Sequence, residues 1–420
     1  MKTTRRGFLR EGALALVGTS AIPSFLTRTV LAQARAAAPD SRRLVVIFQR
    51  GAADGLNIVV PHAERSYYAM RPSIAIPQNA VLDLDGFFGL HPAMSSLKPL
   101  WDQRHLAIVH AVGSPDMTRS HFDAQDYMES GTPGLKATED GWLNRALRAE
   151  DESQPRHHTP FRAVALTAQM PRTLAGPVPA IALNNVRDFH VGAGKGASLA
   201  DASFQAIYGG DDGQGLDRAL RGASRETFEA EKMLAAARPD QYTPLAGADY
   251  PKGAFGDSMK QVAQLLKANL GVEAAFADVG GWDHHQNEGN VNGQLADRLR
   301  DFSQALSAFW IDLGPLAEDT VVVTMSEFGR TARENGTRGT DHGHANVMFV
   351  MGGRVRGGRV YGKWPGLAPD QLNEGRDLAV TTDFRQVLGE AAYRQLQAHD
   401  LNLTFPGAQV QPDRFLGILS

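Results

Sequence analysis

Cysteine is absent from the 420 residues of this sequence. The chain therefore forms no disulfide bond and offers neither a thiolate metal ligand nor a cysteine nucleophile. Any metal ion that it binds must be held by carboxylate, imidazole or hydroxyl groups. Long hydrophobic runs are lacking too. The apolar stretch over residues 13–22 is shorter than the roughly 20 residues that a membrane-spanning helix needs, so we expect no transmembrane anchor.

The composition also lacks the bias of disordered or fibrous chains. Hydrophobic residues make up 43% of the sequence and charged residues 21%, which is typical of a soluble globular protein long enough for one large α/β domain or two smaller ones. No change of composition is sharp enough to indicate two independent domains. We expect a single domain over residues 35–420, with loop insertions around residues 135–250.

Residues 1–34 have a character of their own. Paired arginines, Arg5 and Arg6, are followed by Phe8 and Leu9, then by the apolar stretch and by small residues. This pattern predicts a twin-arginine signal, which the twin-arginine export machinery reads as it carries folded proteins to the periplasm or outside the cell. The alternative is a basic amphipathic first helix.

The chain lacks the excess of positive charge that is typical of proteins that bind nucleic acid or anionic membranes. The signal has a net charge of +4, and its removal from a chain of net charge −3 leaves −7. A mildly acidic protein has no general attraction for nucleic acid or for an anionic membrane. We therefore expect a small substrate or a protein partner, which the sequence does not identify.

Short apolar runs alternate with segments of helical periodicity. The run over residues 43–49, which ends at a Gly-containing turn, is typical of a strand buried on both faces. The alternation predicts an α/β fold: a doubly wound, mostly parallel sheet with helices on both faces. The other predicted strands cover residues 105–112, 162–167, 179–183, 272–278, 320–324 and 347–351. The predicted helices cover residues 90–101, 216–237, 255–270, 294–313 and 383–397.

Acidic and imidazole side chains follow several predicted strands where these end. In an open α/β sheet ligands bind in the crevice outside the carboxyl ends of the strands, so such side chains are placed to meet there. Mixed oxygen and nitrogen ligands suit one or two divalent ions, with Zn or Mn favoured and Mg or Ca as alternatives. The candidate metal ligands are Asp54, Asp283, His285, Glu327, Asp341, His342 and His344.

One strand end carries hydroxyl groups as well. The turn after residues 105–112 contains Thr118, Arg119 and Ser120, ahead of a helical pattern that runs to Glu129. A hydroxyl there can cap the helix, or it can be an exposed nucleophile beside backbone N–H groups that favour an anion. Ser120 is the candidate nucleophile, with Thr118 second, and Arg119 is the candidate cation for an oxyanion. Asp54 is either a carboxylate presented to a metal ion or a solvated turn residue, because Asp before Gly is common in turns.

Six motifs in this order resemble a bacterial family. They are RGAADGLN, TRSHFDAQ, GGWDHH, SEFGRT, DHGHAN and VMFVMGGRVRGGRVYG. With the twin-arginine start, they identify the sequence as a member of the exported proteins grouped as domain of unknown function 1501. That family is similar to the alkaline phosphatase and sulfatase superfamily, whose fold is a doubly wound α/β sheet with two metal ions at strand ends.

The resemblance implies a role for each candidate. Asp54 stands where the first-strand metal carboxylate stands, and Ser120 is the nearest match to the hydroxyl nucleophile. Asp283 and His285 fall on the Asp and His of one metal site. Glu327 falls on the carboxylate of the Ser-Asp-His-Gly signature.

The match departs from the superfamily pattern at two points. Phosphatases have Asp-His where this chain has Glu327 and Phe328, so one imidazole is missing unless His342 replaces it, and the spacing of Asp283 and His285 is shorter than the usual phosphatase pattern. His342 or His344 falls on the late metal-binding histidine. The missing cysteine argues against a formylglycine sulfatase. The resemblance implies an exported, metal-dependent hydrolase of phosphate or sulfate esters, acting on a small-molecule or glycan ester. The alternative is a non-catalytic periplasmic binding or assembly protein that retains the fold.

Overall fold

The structure is a computed structural model, and it describes residues 42–136, 138–153, 158–186, 230, 232–234 and 241–420. The predicted export signal lies outside the described residues, as does most of the predicted helix over residues 216–237. None of the helices within these ranges is both long enough and apolar enough to cross a membrane.

Strands and helices alternate along the chain, as the sequence pattern predicts. The strands are β1 (Arg43–Gln49), β2 (Val59–Val60), β3 (Leu82–Asp83), β4 (Gly89–Leu90), β5 (Leu106–Gly113), β6 (Ala163–Leu166), β7 (Ile181–Ala182), β8 (Ala274–Val279), β9 (Thr320–Met325), β10 (Asn346–Gly352), β11 (Arg359–Tyr361) and β12 (Thr382–Asp383). The α-helices are α1 (Gly55–Ile58), α2 (Arg65–Met70), α3 (Lys98–Asp102), α4 (His121–Ser130), α5 (Trp142–Ser153), α6 (Ala254–Lys267), α7 (Gln294–Leu313), α8 (Phe384–Gln395) and α9 (Leu401–Thr404).

The main sheet of the described residues is mixed and mostly parallel, so the predicted fold class is confirmed. Its strand order is β11-β5-β10-β9-β1-β8-β6-β7, with β12 paired to β5. The central strands β9, β1, β8, β6 and β7 pair in parallel, and β10 alone runs antiparallel to its neighbours. Strands β2, β4 and β3 form a separate small antiparallel sheet.

Helices cover both faces of the main sheet. In β1, Val45 and Ile47 pack into one core while Leu44, Val46 and Phe48 pack into the other, because successive side chains of a strand point to opposite faces. Residues of α6 and α7 complete the first core, and residues of α5 and α8 complete the second. Burial on both faces is the reason why β1 reads as a continuous apolar run.

One prediction about local structure needs correction. The prediction of one helix over residues 90–101 is wrong, because a 3-10 helix covers Pro92–Leu97 and α3 starts only at Lys98. Pro99 has no backbone N–H, so α-helical hydrogen bonding cannot run through it from the preceding turn. The strands predicted over residues 162–167 and 179–183 are β6 and β7, which extend the main sheet.

The direction of β10 places the predicted site residues together. No α-helix separates β9 from β10, so the chain folds back and β10 starts at the edge where β9 ends. Strands β1, β5 and β8 also end at that edge, because they run in the same direction as β9. The loops that carry the sequence motifs therefore share one crevice, as expected for an open α/β sheet.

Candidate metal centre

Four side chains from three of these loops form a compact group, here called the histidine–aspartate cluster: His121, Asp283, His285 and His342. His121 is the first residue of α4 after β5, Asp283 and His285 lie in the turn after β8, and His342 precedes β10. Ligand atoms of His121, Asp283 and His342 all lie within 4.8 Å of one another. His285 contacts both Asp283 and His342.

Asp283 lies at the middle of the cluster. Its Oδ1 is 3.1 Å from His285 Nε2 and 3.3 Å from His342 Nε2, and its Oδ2 is 3.6 Å from His121 Nε2. The Nε2 atoms of His285 and His342 are 3.0 Å apart. Ligands at about 2.0–2.1 Å from a tetrahedral zinc ion stand roughly 3.3–3.4 Å apart, so the spacing in the cluster fits a small divalent ion.

The second ring nitrogen of each histidine has a hydrogen-bond acceptor outside the cluster. We assign the ring proton to Nδ1 in all three, which leaves each Nε2 lone pair directed at the cluster. The three contacts are His121 Nδ1 to Glu327 Oε1 at 2.8 Å, His342 Nδ1 to the Arg119 carbonyl at 2.9 Å, and His285 Nδ1 to Asp341 Oδ1 at 3.2 Å.

Two observations in the cluster fit a cation. His121 Nε2 is buried and has no hydrogen-bond partner, although buried polar atoms are normally paired. The Nε2 atoms of His285 and His342 face each other at 3.0 Å, and two lone pairs repel at that distance unless a proton or a metal ion lies between them. The donor set of imidazole nitrogens and one carboxylate suits Zn²⁺ or Mn²⁺ better than Mg²⁺.

Glu327 orients His121, but its carboxylate is not one of the ligand groups that converge in the cluster. Its buried carboxylate accepts hydrogen bonds from His121 Nδ1, from Gln125 Nε2 at 2.9 Å, from the backbone N–H of Gly51 at 2.8 Å and from Ser326 Oγ at 3.1 Å. Burial raises the pKa of the Glu327 carboxyl, but these hydrogen bonds, led by that from His121, outweigh burial and hold the pKa below its usual range. Glu327 is therefore an anion behind a histidine ligand, an arrangement common at metal sites.

Charge in the cluster is set by its neighbours. The hydrogen bond to Glu327 raises the pKa of His121, so an ion at this site has to compete with a proton. Burial lowers the pKa of His342, and the charges of His121 and Arg330 act in the same direction. Burial raises the pKa of Asp283, but the hydrogen bond and the charge of Arg330, together with the charges of His285 and His121, outweigh burial, and the pKa of this carboxyl is lowered.

Arg330 is buried and holds the loops of the cluster in place. Its guanidinium donates to Asp283 Oδ1, which keeps that carboxylate ionised and fixes its orientation. The guanidinium also donates to backbone carbonyls of three loops, and its Nη2 is shared between Asp283 and two of these carbonyls. These carbonyls belong to Gly51, Ala52, Trp282 and Thr340.

Phe328 occupies the place where the resemblance to phosphatases leads one to expect an imidazole. Its side chain is buried, and its ring centroid lies 5.0 Å from the ring centroids of both His121 and His342. Phe328 thus packs against two histidines of the cluster and restricts their ring orientation.

The structure does not bring Asp54 to the cluster. Asp54 is buried, caps α1 by accepting from the Leu56 N–H, and forms an ion pair with Arg71 at 2.5 Å. Burial raises the pKa of Asp54, but the charge and the hydrogen bond of Arg71, with smaller contributions from Glu288 and Arg330, together outweigh burial, and the pKa is lowered. The neighbouring Glu288 is also buried, and burial together with the charge of Asp54 raises its pKa well above the usual range.

Ser120 and Arg119 lie next to the cluster but have other contacts. Ser120 is the N-cap of α4, where its Oγ accepts a long hydrogen bond of 3.5 Å from the Asp123 N–H. The Arg119 guanidinium donates to Glu374 at 2.7 Å and to Asp377 at 2.6 Å. Only the backbone carbonyl of Arg119 contacts a cluster residue, as the acceptor from His342.

His344 and Asp341 differ in their relation to the cluster. His344 is buried, and its Nε2 donates to the Ser114 carbonyl at 2.9 Å, so this nitrogen is engaged outside the cluster. Asp341 is exposed and accepts from His285 Nδ1 and from Asn335 Nδ2, both at 3.2 Å. Burial raises the pKa of Asp341, but these two hydrogen bonds, together with the charges of His285 and Arg376, outweigh burial, and the pKa is lowered.

A second group of candidate ligands lies at the opposite edge of the sheet, where β6 and β8 begin. It consists of Glu150, His158 and Glu273. Arg162 already bridges the two carboxylates, at 2.6 Å from Glu150 and 3.0 Å from Glu273. A guanidinium between the acids gives this group the character of a structural ion-pair network.

Sequence reasoning missed three residues of the site: His121, Gln125 and Arg330. His121 and Gln125 were inside the TRSHFDAQ motif, and their spacing of four puts both on one face of α4. That face contacts Glu327. No sequence pattern marked Arg330 as a site residue, apart from its position three residues after Glu327.

The fold and the cluster together define a doubly wound α/β protein with a candidate metal-ligand group at the carboxyl edge of its sheet. The chain belongs to the family described as "Protein of unknown function (DUF1501)", whose family model matches residues 103–404. No curated protein matches the chain.

Several solved structures resemble this fold at low identity. The PsFucS1 sulfatase from Pseudoalteromonas sp. is 12% identical with a TM-score of 0.34, and the match covers 81% of this chain and 68% of the sulfatase. A variant of the alkaline phosphatase PafA is 10% identical with a TM-score of 0.33, over 70% of this chain and 64% of the phosphatase, just under two thirds of its length. An alkaline phosphatase superfamily protein from Vibrio parahaemolyticus is 10% identical with a TM-score of 0.29, over 81% and 71%. Similarity at this level does not assign an activity.

Proposed function

We propose that this protein is an exported, metal-dependent hydrolase of phosphate or sulfate esters, with one divalent ion, Zn²⁺ or Mn²⁺, held by the histidine–aspartate cluster. The observation that carries the proposal is the convergence of three imidazole Nε2 atoms on the Asp283 carboxylate, each with its Nδ1 fixed by an outside acceptor. A divalent ion in such a place supplies a Lewis acid for a phosphoryl or sulfuryl group.

The residues of this chain have distinct parts in the proposed reaction. Glu327 keeps the proton of His121 on Nδ1, and Arg330 keeps Asp283 ionised and oriented. Ser120 is the proposed nucleophile because it directly precedes His121. Among the described parts of the chain, its Oγ has only the long capping contact, so the hydroxyl can turn toward a substrate.

Positive charge at the rim of the cluster fits an anionic substrate. Arg376 is partly exposed and donates to the His342 carbonyl at 2.9 Å, and its charge acts on Asp341. The Arg119 guanidinium is also partly exposed. Two cations beside a water-accessible metal-ligand group are suited to neutralise the charge that builds up on a transferring phosphoryl or sulfuryl group.

Export through the twin-arginine machinery to the periplasm or outside the cell is part of the proposal. Its support is the paired Arg5 and Arg6 followed by an apolar stretch. A fusion of residues 1–34 to a reporter should be exported, and a fusion with both arginines replaced by lysine should stay in the cytoplasm. Equal export of both fusions would overturn this part.

The central test measures metal content and turnover together. The signal-free protein, loaded with Zn²⁺ or Mn²⁺, should hold about one ion per chain by elemental mass spectrometry and should hydrolyse members of a phosphate- and sulfate-ester panel. His121→Ala and Asp283→Ala should lose both properties. His399→Ala, which removes an exposed histidine outside the cluster, should keep both. Full metal content in the two cluster variants would refute the site.

A non-catalytic assembly or binding protein is the second candidate, and one observation favours it. Phe122, directly after His121, is 90% exposed, which is unusual for a large aromatic side chain. Met117 and Leu135 nearby in sequence are exposed as well, and the Lys136–Asp123 ion pair ties the Leu135 segment to α4. Turnover separates the candidates: a metal-loaded protein that hydrolyses no ester of the panel supports the second.

A further inference from the structure

Glu374 occupies a strained place in the loop beside the cluster. It lies in a turn in which the Arg376 N–H donates to the Asn373 carbonyl at 3.0 Å. Glu374 has φ +53° and Gly375 has φ +66°, the pair of left-handed conformations that Asn-Gly adopts readily in such a turn and that Glu adopts at a cost. A strained residue near a candidate site is a reason to ask what its side chain does.

The Glu374 carboxylate forms an ion pair with Arg119. Its Oε2 accepts from Arg119 Nη2 at 2.7 Å, and the same Nη2 donates to Asp377 at 2.6 Å. The Asp377 side chain is fully buried, whereas that of Glu374 is 54% exposed. Asp377 is therefore a fixed partner of the guanidinium, and Glu374 is a water-exposed partner whose ion pair contributes little and is easily exchanged.

The Arg119 side chain is 31% exposed, so an anion from solvent can reach it. Its Nε is buried and takes no part in that access. The residue is also joined to the cluster, because its carbonyl accepts from His342 Nδ1 at 2.9 Å. From the other side, Arg376 of the same turn donates to the His342 carbonyl. The turn that carries Glu374 is thus connected to one candidate ligand by two arginines.

We propose that Glu374 is an internal anion that holds the substrate-binding position of Arg119, and that the phosphate or sulfate group of a substrate displaces it. In this exchange an oxyanion takes the place of Glu374 on the guanidinium, and the displaced carboxylate, already 54% exposed, is solvated by water. Arginine binds tetrahedral oxyanions at least as well as carboxylates. A ligand must then compete with Glu374 for Arg119, and weakly charged ligands do not displace the carboxylate. This inference rests on the proposed function for the identity of the anion.

The test measures binding of inorganic phosphate and inorganic sulfate to the metal-loaded, signal-free protein by calorimetry at constant ionic strength. Glu374→Asn fits the left-handed turn and removes the internal anion. We expect it to bind phosphate or sulfate about 3- to 10-fold more tightly, as when the competent fraction of a site rises from roughly 0.1–0.3 to nearly one. Glu374→Asn combined with Arg119→Gln should lose the gain.

Asp370→Asn is the matched control, because it removes an exposed acid from the same loop and leaves Arg119 paired. Unchanged affinity in Glu374→Asn, or an equal gain in Asp370→Asn, would overturn the inference. A thermal melt of Glu374→Asn at or above that of the original protein shows that the turn is intact. Ester turnover is scored separately: tighter anion binding with no turnover in any variant supports the internal anion and overturns the hydrolase.

Discussion

His121 Nδ1 lies 2.8 Å from Oε1 of the buried Glu327 carboxylate, while the Nε2 of the same ring faces Asp283 without a hydrogen-bond partner. Because the carboxylate accepts the ring proton on one side, the lone pair on the other side is available to a metal ion. This relationship joins the loop after β9 to the first turn of α4, and it makes Glu327 a supporting residue for a ligand.

Removal of the Glu327 charge should weaken metal binding without removing a ligand. We expect Glu327→Gln to lower the affinity for Zn²⁺ about 10- to 100-fold, because the amide holds the His121 proton less strongly. Competition with a chromophoric chelator measures the change. Glu318→Gln, which neutralises an exposed acid elsewhere, should bind as the original protein does. Equal affinities in all three proteins would contradict the assigned role.

Substitution of Arg330 should destabilise the fold. Arg330→Met leaves the half-exposed Asp283 without its cation and removes the donor from the carbonyls of Gly51, Ala52 and Thr340, and each buried acceptor left unsatisfied costs about 1–3 kcal/mol. Urea denaturation of the metal-free protein measures the loss. Arg333→Met, at an exposed arginine in the same loop, should change the free energy of unfolding by less than about 0.5 kcal/mol. Similar stabilities of the two variants would count against the role of Arg330.

The two possible roles of Ser120 can be separated by one pair of variants. Ser120→Ala removes both the cap and the hydroxyl, so we expect a loss of about 1 kcal/mol of stability together with loss of ester turnover. Ser120→Asn keeps a good N-cap and removes only the hydroxyl, so stability should return while turnover stays absent. Turnover retained in Ser120→Asn would show that Ser120 is a cap and not the nucleophile.

The buried acids Asp54 and Glu288 predict a pH dependence of stability. The raised pKa of Glu288 means that the folded state holds a proton that the unfolded chain releases, so this stabilisation is complete at acidic pH and is lost as pH rises through the raised pKa. The lowered pKa of Asp54 acts oppositely: its contribution is present above the ordinary pKa of Asp and is lost as pH falls through the lowered one.

Glu288→Gln should therefore remove the alkaline loss alone, because the amide is a neutral substitute for the protonated acid. The free energy of unfolding of the metal-free protein, measured in urea from neutral to about pH 10, should decline in the original protein and decline less in the variant. The acid side should be unchanged, since Asp54 and Arg71 remain paired. Parallel curves on the alkaline side would show that Glu288 is ionised in the folded state.

Several elements of the fold follow from the sequence because their physics is local. The bounds of β1 and α7 agree with the predicted ranges, since a fully buried strand must be continuously apolar and an amphipathic helix must repeat at three and four residues. The helix predicted over residues 90–101 failed where a proline interrupts a pattern that is otherwise helical. Local periodicity did not reveal that β10 runs antiparallel, because direction depends on what the connecting segment packs against.

The sequence by itself determined the strand ends at which polar residues collect, and with them Asp283, His285 and His342. Tertiary structure decided how each side chain is used. Asp54 forms an ion pair with Arg71, and His344 donates to the Ser114 carbonyl. His121 joins the cluster because Glu327 accepts a hydrogen bond from its Nδ1 and so orients the ring. The physical reason is that a buried polar side chain must pair with whichever polar group lies beside it in the folded chain. Partners more than 200 residues apart, such as His121 and Glu327, are brought together only by the packing of the whole sheet.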